Sequence, residues 1–367
     1  MQKILPINLN TGLTTDCWHF MKLAPLLADD RYVPWFVERF IELEMGIWEG
    51  DPIQDFWIQY YRLEHYDLEL LYQGVLEFEH FEQRDFSAIV KSTVDRISQG
   101  GYVLLGCDNY YIRKSEYYQK QHCMHEYLLF GFNQQERFFH TLAMKGNRWT
   151  TETVSFDEIE QGFQSGLNHM RGDFVGHYRL FRFGMPATSF KGVPQPKSRP
   201  NMYKILESVE NCLSGGTRHV VMGEKDGTGT GPPKKFVEWS GMSIYDGLQN
   251  RISACIEVYP SLLMDRSIIL GIKKLCENKR GIFSRLQYLD QHHYIRLQNR
   301  HIEMLNELCG SLDKLLLLLI VYHHRPGSEN LRLIKKRIQL SEQLEQQALK
   351  GAFQVLYEGL NRTIGSC

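Results

Sequence analysis

The sequence predicts an α+β fold in two parts, a domain over residues 1–184 and a mostly helical domain over 201–367. Three observations carry that expectation. The N-terminal half switches from a helical to a strand-like hydrophobic period and back again. Met185 to Pro200 holds four prolines among Lys, Ser and Gly, so residues 185–200 read as a linker. Beyond it, apolar residues recur at helical spacing almost to the C-terminus.

The elements follow in order. Phe20 to Leu71 reads as mostly helical, with Phe36, Phe40, Leu43 and Ile47 spaced 4, 3 and 4 apart. Gly100-Gly101 then breaks the chain, and Tyr102 to Asp108 reads as a buried strand. Tyr127 to Gly131 is a second strand, the polar run Asn133 to Glu136 a turn, and Phe138 to Met144 a third strand. Ser155, with Glu158 three residues on, has the form of a capping box that starts a helix. In the second part, Ile268, Ile272 and Leu275 mark one helix face, and Ile282, Leu286 and Leu289 another. Leu340, Leu344, Ala348, Ala352 and Val355 mark a long terminal helix, set off by Pro326-Gly327. A Gly-rich loop between Gly223 and Gly231 interrupts the helical pattern.

Composition narrows the function. A 43% hydrophobic content excludes intrinsic disorder. Forty-two basic against forty-three acidic side chains leave a net charge of −1, which argues against a nucleic-acid partner. The longest apolar stretch, Leu315 to Tyr322, is far short of the roughly 20 residues a membrane span needs. No basic segment followed by an apolar one opens the chain, so a cytoplasmic location is expected. None of the eight cysteines forms a CxxC pair, which argues for reduced thiols and against a zinc ribbon. His292-His293 and His323-His324 are adjacent pairs that face different ways, and Gly223 to Gly231 lacks the Gly-Lys-Ser/Thr ending of a P-loop. Neither a cofactor nor a metal is expected.

Two segments carry chemistry. Thr14-Thr15-Asp16-Cys17-Trp18 sits at an expected helix start, where the positive end of the helix dipole favours a thiolate. Its plain alternative is a buried structural cysteine. In the second segment a strand delivers Asp108, an aromatic loop follows, and His122 and His125 stand just before the next strand. An early cysteine at a helix start, with a histidine about a hundred residues later at a strand start, is the chain order of papain-like sites.

Longer motifs add a resemblance. They are Thr14-Thr-Asp-Cys17, Gly101-Tyr-Val-Leu-Leu-Gly-Cys-Asp108-Asn-Tyr-Tyr111 and His122-Cys-Met-His125-Glu-Tyr-Leu-Leu-Phe-Gly131-Phe. The N-terminal half that carries them resembles the butirosin biosynthesis protein H family, whose N-terminal domain is papain-like. Trp239 to Tyr245, Cys276-Glu-Asn-Lys-Arg280 and Arg285 to Leu289 make the C-terminal half similar to relatives from nonribosomal peptide gene clusters. The resemblance implies an acyltransferase in natural-product biosynthesis. It would take an acyl group from an acyl or peptidyl carrier protein and deliver it to a small-molecule amine.

By that resemblance Cys17 is the nucleophile and His125 the base, preferred to His122 because it lies nearer the strand. Relatives place an aspartate after the following strand. Here the orienting residue is Asn147 or its rival Asp108, with Asn147 favoured. The helical part, 201–367, is expected to shape the acceptor site. Two rivals stand beside this reading: a hydrolase built on the same dyad (peptidase, amidase or thioesterase), and a non-catalytic adaptor of a peptide-synthetase assembly.

Overall fold

The computed structural model describes residues 1–48, 57–60, 71–146, 148–170, 187–222, 234–257 and 266–364. The chain forms two compact units, one of Met1–Val33 and Tyr66–Ser198, the other of Pro34–His65 and Arg199–Cys367. Helices and antiparallel sheets share the structure, as an α+β class requires.

The first unit is built on β4 (Leu76–His80), β5 (Tyr102–Asp108), β6 (Met124–Asn133), β7 (Phe138–Lys145), β8 (Arg148–Ser155) and β9 (Ala187–Gly192). Their order is β4-β9-β5-β6-β7-β8, all antiparallel. One edge of β6 pairs with β5 over Met124 to Leu129 and then with β1 (Gln2–Ile4) over Gly131 to Asn133. All seven residues of β5 are buried, which explains its unbroken apolar run. The three strands expected at 102–108, 127–131 and 138–144 are therefore present.

Helix α1 (Cys17–Leu26) starts where the Asp16 carboxylate accepts a hydrogen bond from His19 N at 3.4 Å. Phe20 stacks on Trp149 of β8 with centroids 4.4 Å apart, and Trp149 Nε1 donates to Thr14 O at 2.8 Å. These contacts fix the segment before Cys17 to the sheet. The remaining helices of this unit are α3 (Gln83–Phe86), α4 (Ile89–Ser98) and α5 (Phe156–Met170); α2 comes earlier in the chain, at Val33–Val37. The capping box at the start of α5 is present: Ser155 Oγ accepts from Glu158 N at 3.2 Å, and Glu158 Oε2 accepts from Ser155 N at 2.9 Å. Helix α5 lies close on β5 through two glycines. A Cβ at Gly162 would stand 3.3 Å from Asp108 O, and one at Gly166 would stand 3.0 Å from Gly106 O.

Residues 185–200 are not simply a linker. Ala187–Gly192 is β9, wedged between β4 and β5, with Ala187, Ser189 and Phe190 buried. Proline composition masked a six-residue strand because the prolines fall outside it.

The second unit holds a sheet ordered β10-β11-β2-β3, from β2 (Glu44–Trp48), β3 (Trp57–Gln59), β10 (Gly216–Met222) and β11 (Lys234–Ser240). With it are α6 (Met202–Ser214), α7 (Ile244–Glu257), α8 (Arg266–Gln291), α9 (Asn299–His324) and α10 (Ser328–Ile364). Residues 34–65 thus belong with the C-terminal part, and the helical period read through Phe36 to Ile47 is broken. Phe40 takes φ 56°, and Glu44–Trp48 pairs with β11. Side chains of α8 hold this early segment. Asn278 Nδ2 donates to Ile41 O at 2.9 Å, Arg285 Nε donates to Arg39 O at 3.1 Å, and the Arg285 guanidinium lies 4.4 Å from the Phe36 ring. The Gly-rich loop at 223–231 and Asn147 lie outside the described residues. No described helix is long and apolar enough to cross a membrane.

Lys279 and Glu345 form a buried ion pair at 2.5 Å, and Tyr245 Oη donates to the same carboxylate at 2.7 Å. Removing one charge would strand the other in a dry site. Lys279→Met should cost about 3–5 kcal/mol in chemical denaturation. The combined Lys279→Met, Glu345→Leu, Tyr245→Phe variant should recover most of that loss.

Candidate active site

Asp108, at the end of β5, forms a polar centre with a wholly buried side chain. Its Oδ1 accepts from Tyr110 N and from Cys123 N, each at 3.1 Å. Its Oδ2 accepts from His122 Nδ1 at 2.6 Å and from Ser165 Oγ of α5 at 2.8 Å. Burial raises the carboxyl pKa, but these four hydrogen bonds outweigh it and hold Asp108 below the usual carboxylate range. Asp108 is therefore ionised at neutral pH and acts only as acceptor. Facing an acceptor-only carboxylate, His122 Nδ1 carries the proton of this bond.

The ring of His122 is held on a second side. It stacks on Tyr110 with centroids 4.4 Å apart and planes 18° from parallel, while 48% of its side chain stays exposed. A buried carboxylate behind one nitrogen and an aromatic face alongside are how a histidine ring is oriented for general-base work. Asn109 continues the network, for its side chain bonds Tyr127 Oη and the Cys123 thiol.

His125 is placed differently. Its Nδ1 meets the backbone oxygen of Glu126 at 2.7 Å, its ring is exposed, and it stands edge-on to Tyr127. The register pairs it with Cys107, whose Cβ packs toward Gly162 of α5. Glu126, the next residue, points to the opposite face of the strand, and its charge acts on Lys22 of α1. His125 thus lies on the α5 face and Glu126 on the α1 face. Asp108 bonds His122, while His125, the histidine preferred from the sequence, bonds a backbone oxygen instead. The preference for His125 weighed nearness to the strand and missed that the Asp108 carboxylate reaches back across a 14-residue loop.

Cys17 is the first residue of α1 and is partly exposed. Five other thiols are disfavoured as thiolates by burial. Cys212 and Cys276 are pushed up to about 12, and Cys107, Cys123 and Cys309 are raised as well. Ser165 and Tyr110 were not singled out from the sequence as partners of Asp108. Only the glycines at Gly162 and Gly166 hinted that α5 comes close to this strand end. Among the described residues, no group of three or more His, Cys, Asp and Glu side chains could hold a metal ion.

Compared with known proteins, the chain matches no family model and no curated protein.

The lowered Asp108 pKa has a consequence for stability. A carboxyl held below its unfolded value stabilises the fold above that value, about 3.9, and the contribution is lost as pH falls through the folded value. The denaturation midpoint of Asp108→Asn should therefore lie well below wild type at pH 6. The gap should narrow on acidification below about pH 4.

Proposed function

We propose that this protein is a cysteine-dependent acyltransferase with a papain-like first unit, in which Cys17 is the nucleophile and His122, oriented by Asp108, is the base. The observation that carries the reading is the 2.6 Å bond from His122 Nδ1 to the buried Asp108 carboxylate. The start of α1 supports the choice of Cys17, because backbone N–H groups there suit a thiolate and a developing oxyanion.

The chemistry runs in two steps. The Cys17 thiolate attacks a carrier-bound thioester, a new C–S bond forms, and the carrier thiolate leaves and takes a proton. This exchange of one thioester for another is nearly isoenergetic. A neutral amine then attacks the acyl-enzyme, His122 Nε2 accepts its proton, and the Cys17 thiolate departs as the amide forms. The motifs shared with the butirosin biosynthesis protein H family favour a carrier-protein donor and a small-molecule amine acceptor.

Intact mass after incubation with an N-acetylcysteamine thioester should show one acyl adduct, absent in Cys17→Ala. His122→Ala should lower amide formation by about 10²–10⁴, while His125→Ala should stay within a few-fold of wild type. A dead His125→Ala beside an active His122→Ala would reject His122 as the base. Free acid as the only product across a panel of amines would instead mark a hydrolase.

A further inference from the structure

Helix α9 is apolar on all sides over one stretch. Leu315 to Tyr322 is the longest apolar run in the sequence, yet too short for a membrane span. Helical periodicity divides it in two. Leu315, Leu319 and Tyr322 are buried, on the side where α9 packs against α8 and α10. Leu317, Ile320 and Val321 face away from that core and are 59%, 38% and 39% exposed. A helix at the surface of a bundle needs one apolar stripe, and a second one on its outer side calls for a cover.

The outward residues lie in a row. Asp313, Leu317, Ile320 and His324 are spaced 4, 3 and 4 apart, the spacing of a coiled-coil seam. All four are exposed, and a Cβ added at Gly310, one step earlier in the same row, would meet nothing within 4 Å. Apolar side chains hold the middle of the row, an acid stands at one end and a base at the other. Asp313 bonds Arg280 of α8 but keeps 48% of its side chain exposed. Lys314 is turned about 100° from Asp313 around the helix and lies beside the row. His324 meets the His323 ring edge-on, with centroids 5.3 Å apart, and Arg325 adds positive charge at that end.

We infer that this row is a contact between two copies of the chain, paired as antiparallel α9 helices about a two-fold axis between Leu317 and Ile320. The symmetry sets Leu317 against Ile320 of the partner subunit, and Asp313 against His324 of the partner subunit at both ends. A parallel pairing would set each Asp313 against its own copy, so charge selects the antiparallel arrangement. The contact spans about three helical turns, at the small end for a stable interface, so the dimer dissociates on dilution. Within one chain Asp313 and His324 stand about 16 Å apart along the helix axis. At ordinary salt that separation screens them from one another, and only a second copy brings them together.

The test is sedimentation velocity of the full chain over a dilution series, with circular dichroism to confirm that each variant is folded. Wild type should pass from dimer to monomer on dilution. Leu317→Glu, an exposed change that leaves the core intact, should raise the dissociation constant at least about tenfold. Asp313→Lys and His324→Glu should each weaken the dimer, and the variant carrying both should return to within a few-fold of wild type. That recovery can come only across the two-fold axis, because the two positions are too far apart to compensate within one chain. A monomer at every concentration, a dimer that Leu317→Glu leaves unchanged, or a double variant no tighter than the weaker single one would overturn the inference.

Discussion

The first unit is organised around one buried carboxylate. Asp108 collects four hydrogen bonds from the turn after β5, the entry to β6, the loop histidine and α5. A carboxylate taken out of water costs several kcal/mol unless its lone pairs are satisfied, so these donors must be in place together. The sequence supplies them by unlike routes. Tyr110 N follows from a tight turn, Cys123 N from the register that sets Asp108 opposite Met124, and Ser165 Oγ from the helix that Gly162 and Gly166 allow onto the strand. His122 is then positioned by what surrounds Asp108 rather than by its own loop.

The second unit uses buried polarity for another end. Helix α8 carries Glu277, Asn278, Lys279 and Arg285 on buried positions, where a helix would ordinarily present leucines. Asn278 and Arg285 meet backbone carbonyls of residues 39–41, and Lys279 meets Glu345 of α10. These contacts hold an early chain segment to a late one, and β2 completes the task by pairing with β11. Hydrophobic contact alone would not select the register; hydrogen bonds to particular carbonyls do.

Local signals were legible in the sequence, and long-range ones were not. The strands at 102–108, 127–131 and 138–144, the Ser155–Glu158 capping box and the break at Pro326-Gly327 each depend on a few neighbouring residues, and each is present. The assignment of residues 34–65 depends on partners more than 150 positions away, such as Arg285 for Arg39, so spacing alone read a helix there. Strand β9 was hidden by the prolines that flank it. In the candidate site, Cys17 at a helix start and Asp108 at a strand end follow from local pattern. The pairing of Asp108 with His122 instead of His125 depends on how the loop folds back, which no periodicity encodes.

The central claim is that Asp108 fixes the ring of His122 with the proton on Nδ1. Nitrogen-15-edited NMR of the imidazoles, with His122 assigned through His122→Asn, reads that tautomer directly. The account predicts the Nδ1–H form for His122 at a pH where the ring is neutral, and its loss in Asp108→Asn. An Nε2–H tautomer in the wild type, or the same signature in both proteins, would contradict it.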